Sequence, residues 1–269
     1  TGGAGGDTID GGDGDDTLLG GDGNNRLIGG EGHNYIVGGA QADDITSGVG
    51  ADTIYSGDGN DTINSGSGGD LIYSGAGDDS VTVRSAGSDA TVYAGDGNDT
   101  VMASGNHLAS RTVVVYGEGG NDYLGNTSNF GHSAWYDGGT GDDTLIGTNG
   151  SDTLFGGDGI DSILGGSRSD IIEGGAGADI LIGGSGSDTI SYSSSDAAVL
   201  VDLSLNTASG GHADGDSIGT EFENITGSGF DDTLIGDEGA NRIIGNAGND
   251  TVTGGAGNDT LDGGSGNDS

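Results

Sequence analysis

The chain repeats itself every nine residues, and this period restricts the fold more than any other feature of the sequence. From Gly2 onward, the segments GGAGGDTID, GGDGDDTLL, GGDGNNRLI and GGEGHNYIV follow one another without a gap. The template of these copies has Gly at positions one, two and four, most often Asp at position six, and an aliphatic residue at position eight. A period this short is typical of solenoids, in which each repeat is a small unit that stacks on its neighbours.

The copies fall into three stacks with two breaks between them. Uninterrupted copies run from Gly2 to Thr82, from Gly138 to Ser191 and from Gly227 to Asp262. We predict one elongated domain over residues 1–269. Its parts are a first repeat stack at 2–102, an interruption with a degenerate repeat at 103–137, a second stack at 138–191, a non-repeat insert at 192–226, and a third, truncated stack at 227–269.

Each copy combines a six-residue turn with a short strand. Glycine at positions one, two and four permits positive φ and a close approach of the backbone, whereas Thr at position seven and an aliphatic residue at position eight favour a strand. Two copies can close one coil of eighteen residues, and successive coils can then pair in parallel. The sequence therefore predicts an all-β fold, a right-handed parallel β-roll, which is a β-solenoid with two nonapeptides per coil.

The composition indicates that this fold is not stable without bound cations. Only 30% of the residues are hydrophobic, and 44 acidic residues against five basic ones give a formal net charge of −39. A chain of this kind cannot bury enough apolar surface to offset its conformational entropy, and it repels nucleic acid and anionic lipid. Because the sequence has no Cys, a disulfide cannot stabilise it, and no apolar stretch approaches the length of a membrane span.

The sixth positions are the candidate cation ligands. In a roll, each turn lies over the turn two copies later, so we expect sixth-position carboxylates and turn carbonyls to converge between coils. Oxygen donors of these two kinds suit Ca²⁺ better than Mg²⁺, and we predict about 14 calcium ions. The predicted ligands are Asp7, Asp16, Asp43, Asp52, Asp61, Asp70, Asp79, Asp99, Asp122, Asp143, Asp152, Asp161, Asp170, Asp179, Asp188, Asp232, Asp250, Asp259 and Asp268.

These sites are not expected to be equal. Asn replaces Asp at residues 25, 34 and 241, and Gln41 replaces the fourth-position Gly of its copy. Sites that include Asn25 or Asn34 hold one carboxylate, whereas the pair Asp143 and Asp161 holds two, so we expect tighter binding in the second stack. The competing interpretation is that each Asp only caps its turn. About twenty copies in register favour the cation instead.

The residues of this nonapeptide resemble the repeats-in-toxin family, the haemolysin-type calcium-binding repeats of secreted bacterial proteins. The resemblance implies export as an unfolded chain by a one-step (type I) secretion system, folding outside the cell on calcium, and a metal role for the sixth-position aspartates. It therefore implies an extracellular or cell-surface location.

Two surface features suggest self-association. The outward ninth positions place Leu19, Val37, Tyr55, Tyr73 and Tyr93 in one row, provided that the register survives the insertion at residues 83–84; Ile146, Leu164 and Ile182 form another. The tyrosine row is expected first to be a ladder between coils and second to be a lateral contact surface. Coil edges without a recognisable cap indicate either a fragment of a longer chain or end-to-end association of subunits.

We expect no enzymatic activity from these residues. In the segment GHSAW, Trp135 stands where a nucleophile elbow needs Gly, so Ser133 is not a convincing nucleophile. The four histidines, His33, His107, His132 and His212, lack the spacing of a zinc site.

The leading hypothesis is a calcium-folded extracellular scaffold, spacer, or surface-layer or filament component. One alternative is the repeat module of a secreted enzyme or toxin with its catalytic domain elsewhere, which the length of the intact gene product would reveal. A third is carbohydrate or ice binding by regular outward rows. The mixed residues at position seven, such as Arg26 and Leu71, disfavour ice.

Overall fold

The computed structural model describes residues 1–85, 88–105, 112–126 and 131–269. The chain divides into two compact units, Thr1–Thr140 and Gly141–Ser269. In the described residues, regular structure consists of β-strands apart from a single turn of 3₁₀ helix at Gly211–Ala213, and no helix is long and apolar enough to cross a membrane. His107 lies outside the described residues. The prediction of an all-β solenoid with parallel sheets is confirmed.

The described residues of the first unit form fifteen strands in two parallel sheets, and consecutive strands alternate between the sheets. Odd-numbered strands form one sheet and even-numbered strands form the other. The strands are β1 Gly3–Ala4, β2 Thr8–Asp13, β3 Thr17–Asp22, β4 Arg26–Glu31, β5 Tyr35–Gly39, β6 Asp44–Val49, β7 Thr53–Asp58, β8 Thr62–Asn64, β9 Leu71–Ala76, β10 Ser80–Ser85, β11 Ala90–Asp96, β12 Thr100–Gly105, β13 Thr112–Gly119, β14 Tyr123–Asn126 and β15 Ser133–Thr140.

Eighth-position side chains form the core of this unit. Ile36 pairs with Ile54, and Ile54 pairs with Ile72, each partner lying eighteen residues further along the chain. All three side chains are fully buried. The pairing register of eighteen residues is two copies of the repeat, as the sequence predicts, so each coil contributes two aliphatic side chains to a thin interior.

Most strands are longer than the three residues that the sequence predicts. They continue through positions one to three of the next copy, where Gly12 pairs with Gly30 although both have positive φ. A side chain on Gly30 would collide with the carbonyl oxygen of Gly12 on the coil before it. The second glycine of the repeat is therefore required both by its backbone conformation and by the close stacking of coils.

The predicted row of outward side chains is present, and its tyrosines form a stack of aromatic rings that continues to Tyr116, which the prediction did not include. Tyr55, Tyr73, Tyr93 and Tyr116 lie 4.8 to 4.9 Å apart between ring centroids, with planes within 5° of parallel. Tyr73 pairs with Tyr93 across the insertion at residues 83–84, so the register is kept. Because each inner ring covers the faces of its neighbours, the stack leaves ring edges for contact with solvent, an arrangement that favours a cross-coil ladder over sugar stacking.

The second unit is built on the same plan and adds a small third sheet. Its strands are β16 Thr144–Ile146, β17 Thr153–Asp158, β18 Ser162–Ser167, β19 Ile171–Ala176, β20 Ile180–Ser185, β21 Asp188–Ser191, β22 Leu200–Asp202, β23 Thr207–Ser209, β24 Ser217–Ile218, β25 Phe222–Thr226, β26 Thr233–Ile235, β27 Arg242–Ile244, β28 Thr251–Thr253 and β29 Thr260–Asp262. As predicted, Ile146, Leu164 and Ile182 are register partners.

The insert at residues 192–226 both continues and flanks the solenoid. Strands β24 and β25 pair in parallel with β20 and β21, so they extend its two sheets. Strands β22 and β23 form an antiparallel pair, and β22 also pairs with β26. Of the alternating residues in AVLVDLSL, Val201 and Leu203 are buried but Leu205 is 68% exposed, because the chain turns away after β22.

Candidate metal centres in the turns

The two oxygens of each sixth-position carboxylate have different neighbours. Oδ1 accepts a hydrogen bond from the main-chain N–H of the sixth-position residue two copies earlier. Asp43 N donates to Asp61 Oδ1 at 2.7 Å, and Asp61 N donates to Asp79 Oδ1 at the same distance. In the second unit, Asp143 N donates to Asp161 Oδ1 at 2.8 Å. Half of each carboxylate therefore links successive coils, as the turn-capping interpretation requires.

The surroundings of the other oxygen, Oδ2, indicate a metal site. Within the described part of the chain, thirteen predicted ligands have an Oδ2 atom that is buried and has no hydrogen-bond donor. They are Asp7, Asp16, Asp43, Asp52, Asp61, Asp70, Asp79, Asp99, Asp161, Asp170, Asp179, Asp188 and Asp250. An unpaired buried carboxylate oxygen is costly, and the same cost recurs in copy after copy. Turn capping alone does not explain this second oxygen.

The Asn copies show what surrounds that oxygen. The amide nitrogen of Asn25 donates to the carbonyl of Gly23 at 2.7 Å and lies 3.5 Å from that of Gly21. The amide nitrogen of Asn34 lies 3.4 Å from the carbonyls of Gly32 and Ser47. In Asp copies the equivalent atom is Oδ2, which therefore faces carbonyls of positions two and four of its own turn and of position one two copies later.

Position-one glycines mark the same space. A Cβ atom built on Gly38 would collide with Asp43 Oδ2 and with the carbonyl oxygen of Ser56, and one built on Gly156 would collide with Asp161 Oδ2 and the carbonyl oxygen of Gly174. Turns with Gly at position one thus gather one carboxylate oxygen and several carbonyl oxygens around a small volume next to that glycine; the turns of Asp52, Asp61, Asp70 and Asp79 have Ser at this position. Oxygens that carry partial or full negative charge repel one another in such a volume unless a cation lies between them.

The electrostatics of these carboxylates agree with the geometry. Burial raises the pKa of Asp61, Asp70 and Asp99 to about 6. Burial raises the pKa of Asp79, Asp161 and Asp170 to about 7, and neighbouring carboxylates add to the rise. In the absence of metal, the fold therefore disfavours the charged form of the groups that it brings together.

Glu173 shows how the same fold satisfies a buried carboxylate that needs no ion. Its oxygens accept hydrogen bonds from Ser191 Oγ at 2.6 Å, Ser193 Oγ at 2.9 Å and the N–H of Ser194 at 2.8 Å. Although burial acts to raise its pKa, these hydrogen bonds lower the pKa of Glu173 below its ordinary value. The contrast supports a cation as the missing partner of the sixth-position Oδ2 atoms.

Other predicted ligands have different surroundings. Asp122 and Asp143 are buried in the same register. Asp152 and Asp232 accept hydrogen bonds from a side chain of their own turn. Asp259 is half-buried and Asp268 is exposed, but Oδ1 of each accepts the usual hydrogen bond from the main-chain N–H of the residue two copies earlier. The structure thus repeats one turn arrangement in many copies and varies it in a few.

The insert supplies two carboxylates that sequence reasoning missed. Asp216 Oδ1 accepts a hydrogen bond from Asp179 N at 2.9 Å, and Glu223 Oε2 accepts one from Asp188 N at 2.8 Å. Both acceptors take the place of a sixth-position residue in the next coil. The signal for Asp216 was present as Asp-Ser-Ile, which has the repeat's spacing of Asp to aliphatic residue but has His and Asp instead of Gly at positions two and four.

Taken together, fold and turns define a class of protein, a parallel β-solenoid whose turns are lined with oxygen donors. Among the described residues, no three His, Asp or Glu side chains form a common cluster, so a cation relies mainly on main-chain carbonyls. Carboxylate and carbonyl oxygens in this number suit Ca²⁺.

Comparison with known families agrees with this class. The sequence model for the RTX calcium-binding nonapeptide repeat, in four copies, matches residues 1–27, 19–54, 46–81, 86–107, 137–166, 155–190, 219–247 and 235–269. These matches cover most of the chain, which belongs to the RTX calcium-binding nonapeptide repeat family and is a calcium-binding repeat protein. No curated protein matches the sequence.

Proposed function

We propose that this chain is a non-enzymatic extracellular scaffold or spacer that folds when its turns bind calcium. The proposal rests on the buried, unpartnered Oδ2 atoms of thirteen sixth-position aspartates. With a thin core and a net charge of −39, the calcium-free chain has too few stabilising interactions to fold. Divalent ions bound in the turns neutralise the carboxylates there. Proteins with this repeat are typically secreted, which supports an extracellular location.

The sixth-position aspartates are the proposed ligands, each through Oδ2, together with carbonyl oxygens of its own turn and of the turn two copies later. When bound, calcium neutralises the carboxylates and links successive coils. This chain's residues contribute the repeat register, the inter-coil hydrogen bonds through Oδ1, and glycines small enough to leave room for the ion. The same regular stacking gives a scaffold or spacer its defined repeat along the solenoid.

Calorimetric titration of the full chain tests the binding step. Calcium is titrated into chelator-treated protein, with magnesium in a parallel experiment. We expect uptake of about 14 calcium ions and little heat from magnesium, because Mg²⁺ demands octahedral geometry and retains its waters. Equal uptake of the two metals, or uptake of only one or two calcium ions, would contradict the proposal.

A further inference from the structure

Four repeat turns of the second unit lack Gly at position two, where Thr148, Ser228, Asp237 and Asn246 stand. The turn of Asn246 keeps positive φ there, at 74°, and Asp250 Oδ2 in that turn has no donor, so the other three turns form a separate group. Thr148, Ser228 and Asp237 each lie four residues before the sixth-position residue of their turn. The preceding strands β16, β25 and β26 end at position nine, as β8, β27 and β28 also do.

In two of these turns a hydroxyl group donates to the sixth-position carboxylate. Thr148 Oγ1 lies 3.0 Å from Asp152 Oδ1 and 3.1 Å from Oδ2, and the N–H of Thr148 also donates to Oδ2. Ser228 Oγ donates to Asp232 Oδ1 at 2.7 Å, and the N–H of Ser228 donates to Oδ2 at 2.6 Å. The oxygen that elsewhere faces only carbonyls here has protein donors.

In the third turn, that of Asp237, other side-chain and main-chain groups form the hydrogen bonds. Asp237 Oδ1 accepts hydrogen bonds from the side-chain amide of Asn241 at 3.0 Å and from the N–H of Gly239 at 2.7 Å. Asn241 Oδ1 in turn accepts a hydrogen bond from the N–H of Asp237 at 2.9 Å. The polar groups of this turn satisfy one another.

Backbone conformation separates these turns from the majority. In a copy such as the one with Gly157 and Gly159, positions two and four both have positive φ, at 113° and 149°. None of the position-two and position-four residues of the three exceptional turns has positive φ. Thr is β-branched and disfavours positive φ, which agrees with the conformation of its turn, although Asn246 at the same position has positive φ.

The backbone conformation of the turn does not by itself provide a hydrogen-bond donor for Oδ2 of the sixth-position carboxylate. In the copy that contains Gln41, neither Gly39 nor Gln41 has positive φ, yet Asp43 Oδ2 is buried without a hydrogen-bond donor. What distinguishes the turns of Thr148 and Ser228 is the donor side chain at position two. Tyr192 acts in a comparable way on the insert residue Asp216, because its hydroxyl donates to Asp216 Oδ2 at 2.8 Å.

From these observations we infer that position two sets the calcium requirement of each turn, and that the turns of Thr148, Ser228 and Asp237 close without a calcium ion. Hydroxyl and amide donors there replace the ion, as they do around Glu173. These turns are therefore points in the second unit where the fold is held independently of metal. The inference rests on the proposed calcium sites. It removes Asp152 and Asp232 from the proposed ligands, because both carboxylates then act only as hydrogen-bond acceptors.

Crystals of the calcium-loaded full chain provide a test with resolution at the level of single turns. Anomalous difference density is compared for the natural chain, Thr148→Gly, Thr148→Ser and Gly157→Ser. We expect a calcium peak beside Asp161 and none beside Asp152 in the natural chain and in Thr148→Ser. Thr148→Gly should gain a peak beside Asp152, because Asp152 Oδ2 and the Gly165 carbonyl already flank the space next to Gly147. Gly157→Ser should lose the peak beside Asp161.

Calcium counting by equilibrium dialysis gives a second readout that needs no crystals. We expect one additional ion for Thr148→Gly and one for Ser228→Gly, the latter serving if the former does not fold. A peak beside Asp152 in the natural chain, or unchanged counts in folded Gly variants, overturns the inference. Absence of calcium from every turn of the natural chain overturns the proposed function instead.

Discussion

Replacing Asp161 by Asn tests the role of Oδ2 with the smallest chemical change. In the natural chain, Asp161 is buried, its Oδ1 accepts the hydrogen bond from Asp143 N, and its Oδ2 has no donor. The amide of the variant can keep the first interaction, as Asn25 does with Asp7. Its nitrogen can then donate to the carbonyls of its own turn. We therefore expect Asp161→Asn to fold with one calcium ion fewer.

The magnitude follows from binding linkage. Above its dissociation constant, each bound ion contributes about 1.4 kcal/mol to the unfolding free energy per tenfold increase in free calcium. The calcium dependence of stability should therefore fall by about that amount for Asp161→Asn. At the lowest calcium concentrations the variant should be the more stable chain by about 1–3 kcal/mol, because a buried unsatisfied oxygen has been replaced by a hydrogen-bond donor. The two stability lines should cross.

Urea unfolding followed by circular dichroism, over calcium concentrations from about 1 to 100 mM, measures both effects in the range typical of extracellular sites. Asp158→Asn is the matched control, because it removes the same charge from an exposed position three residues away. Its stability line should run parallel to that of the natural chain. Parallel lines for Asp161→Asn as well, or an unchanged calcium count, would refute the assignment of Oδ2 as a ligand.

Three further predictions follow from burial, stacking and charge. The folded-state pKa values of Asp61, Asp79 and Asp161, about 6 to 7, lie above the ordinary value of an aspartate. Ionisation of these groups therefore destabilises the calcium-free fold above pH 7, and this destabilisation is lost as the pH falls toward 4. The strand signal of the protein in chelator should rise as the pH is lowered over this range, and a signal that does not change with pH would contradict the prediction. Ile54→Ala should cost about 2–5 kcal/mol in calcium, against less than about 0.5 for Val49→Ala at an exposed position, and equal losses in urea unfolding would argue against the core assignment. Tyr73→Leu removes two stacked contacts and should cost about 1–3 kcal/mol with loss of near-ultraviolet dichroism; a loss no greater than that of Tyr123→Leu, outside the stack, would count against the ladder.

The nine-residue period allowed most of the fold to be predicted. Because positions six and eight recur at fixed spacing, the pairing of Ile36 with Ile54 and of Tyr55 with Tyr73 follows from counting. The length of the strands did not follow, since pairing continues through glycines that have low strand propensity but allow coils to approach closely. The insert was harder still, because its place in the sheets depends on tertiary pairing and its sequence lacks the repeat.

The candidate sites were predictable in position but less so in detail. Counting places every sixth-position Asp, but only the structure separates Oδ1, which is hydrogen-bonded, from Oδ2, which is not. Two aspartates with the same repeat position, Asp152 and Asp161, have different partners because Thr148 and Gly157 precede them. This distinction depends on whether a single residue, at position two of the turn, carries a donor side chain. Asp216 was missed because glycines were treated as part of the signal, whereas the coil needs only the carboxylate in register.

A calcium titration monitored by far-ultraviolet circular dichroism tests the central claim most directly. The full chain is brought from chelator into increasing free calcium at pH 7.5, with magnesium at the same concentrations as the control. We predict a largely unfolded spectrum in chelator and a cooperative gain of strand signal in calcium, reversed when chelator is added again. A strand spectrum that is already complete in chelator and unchanged by calcium would contradict the account.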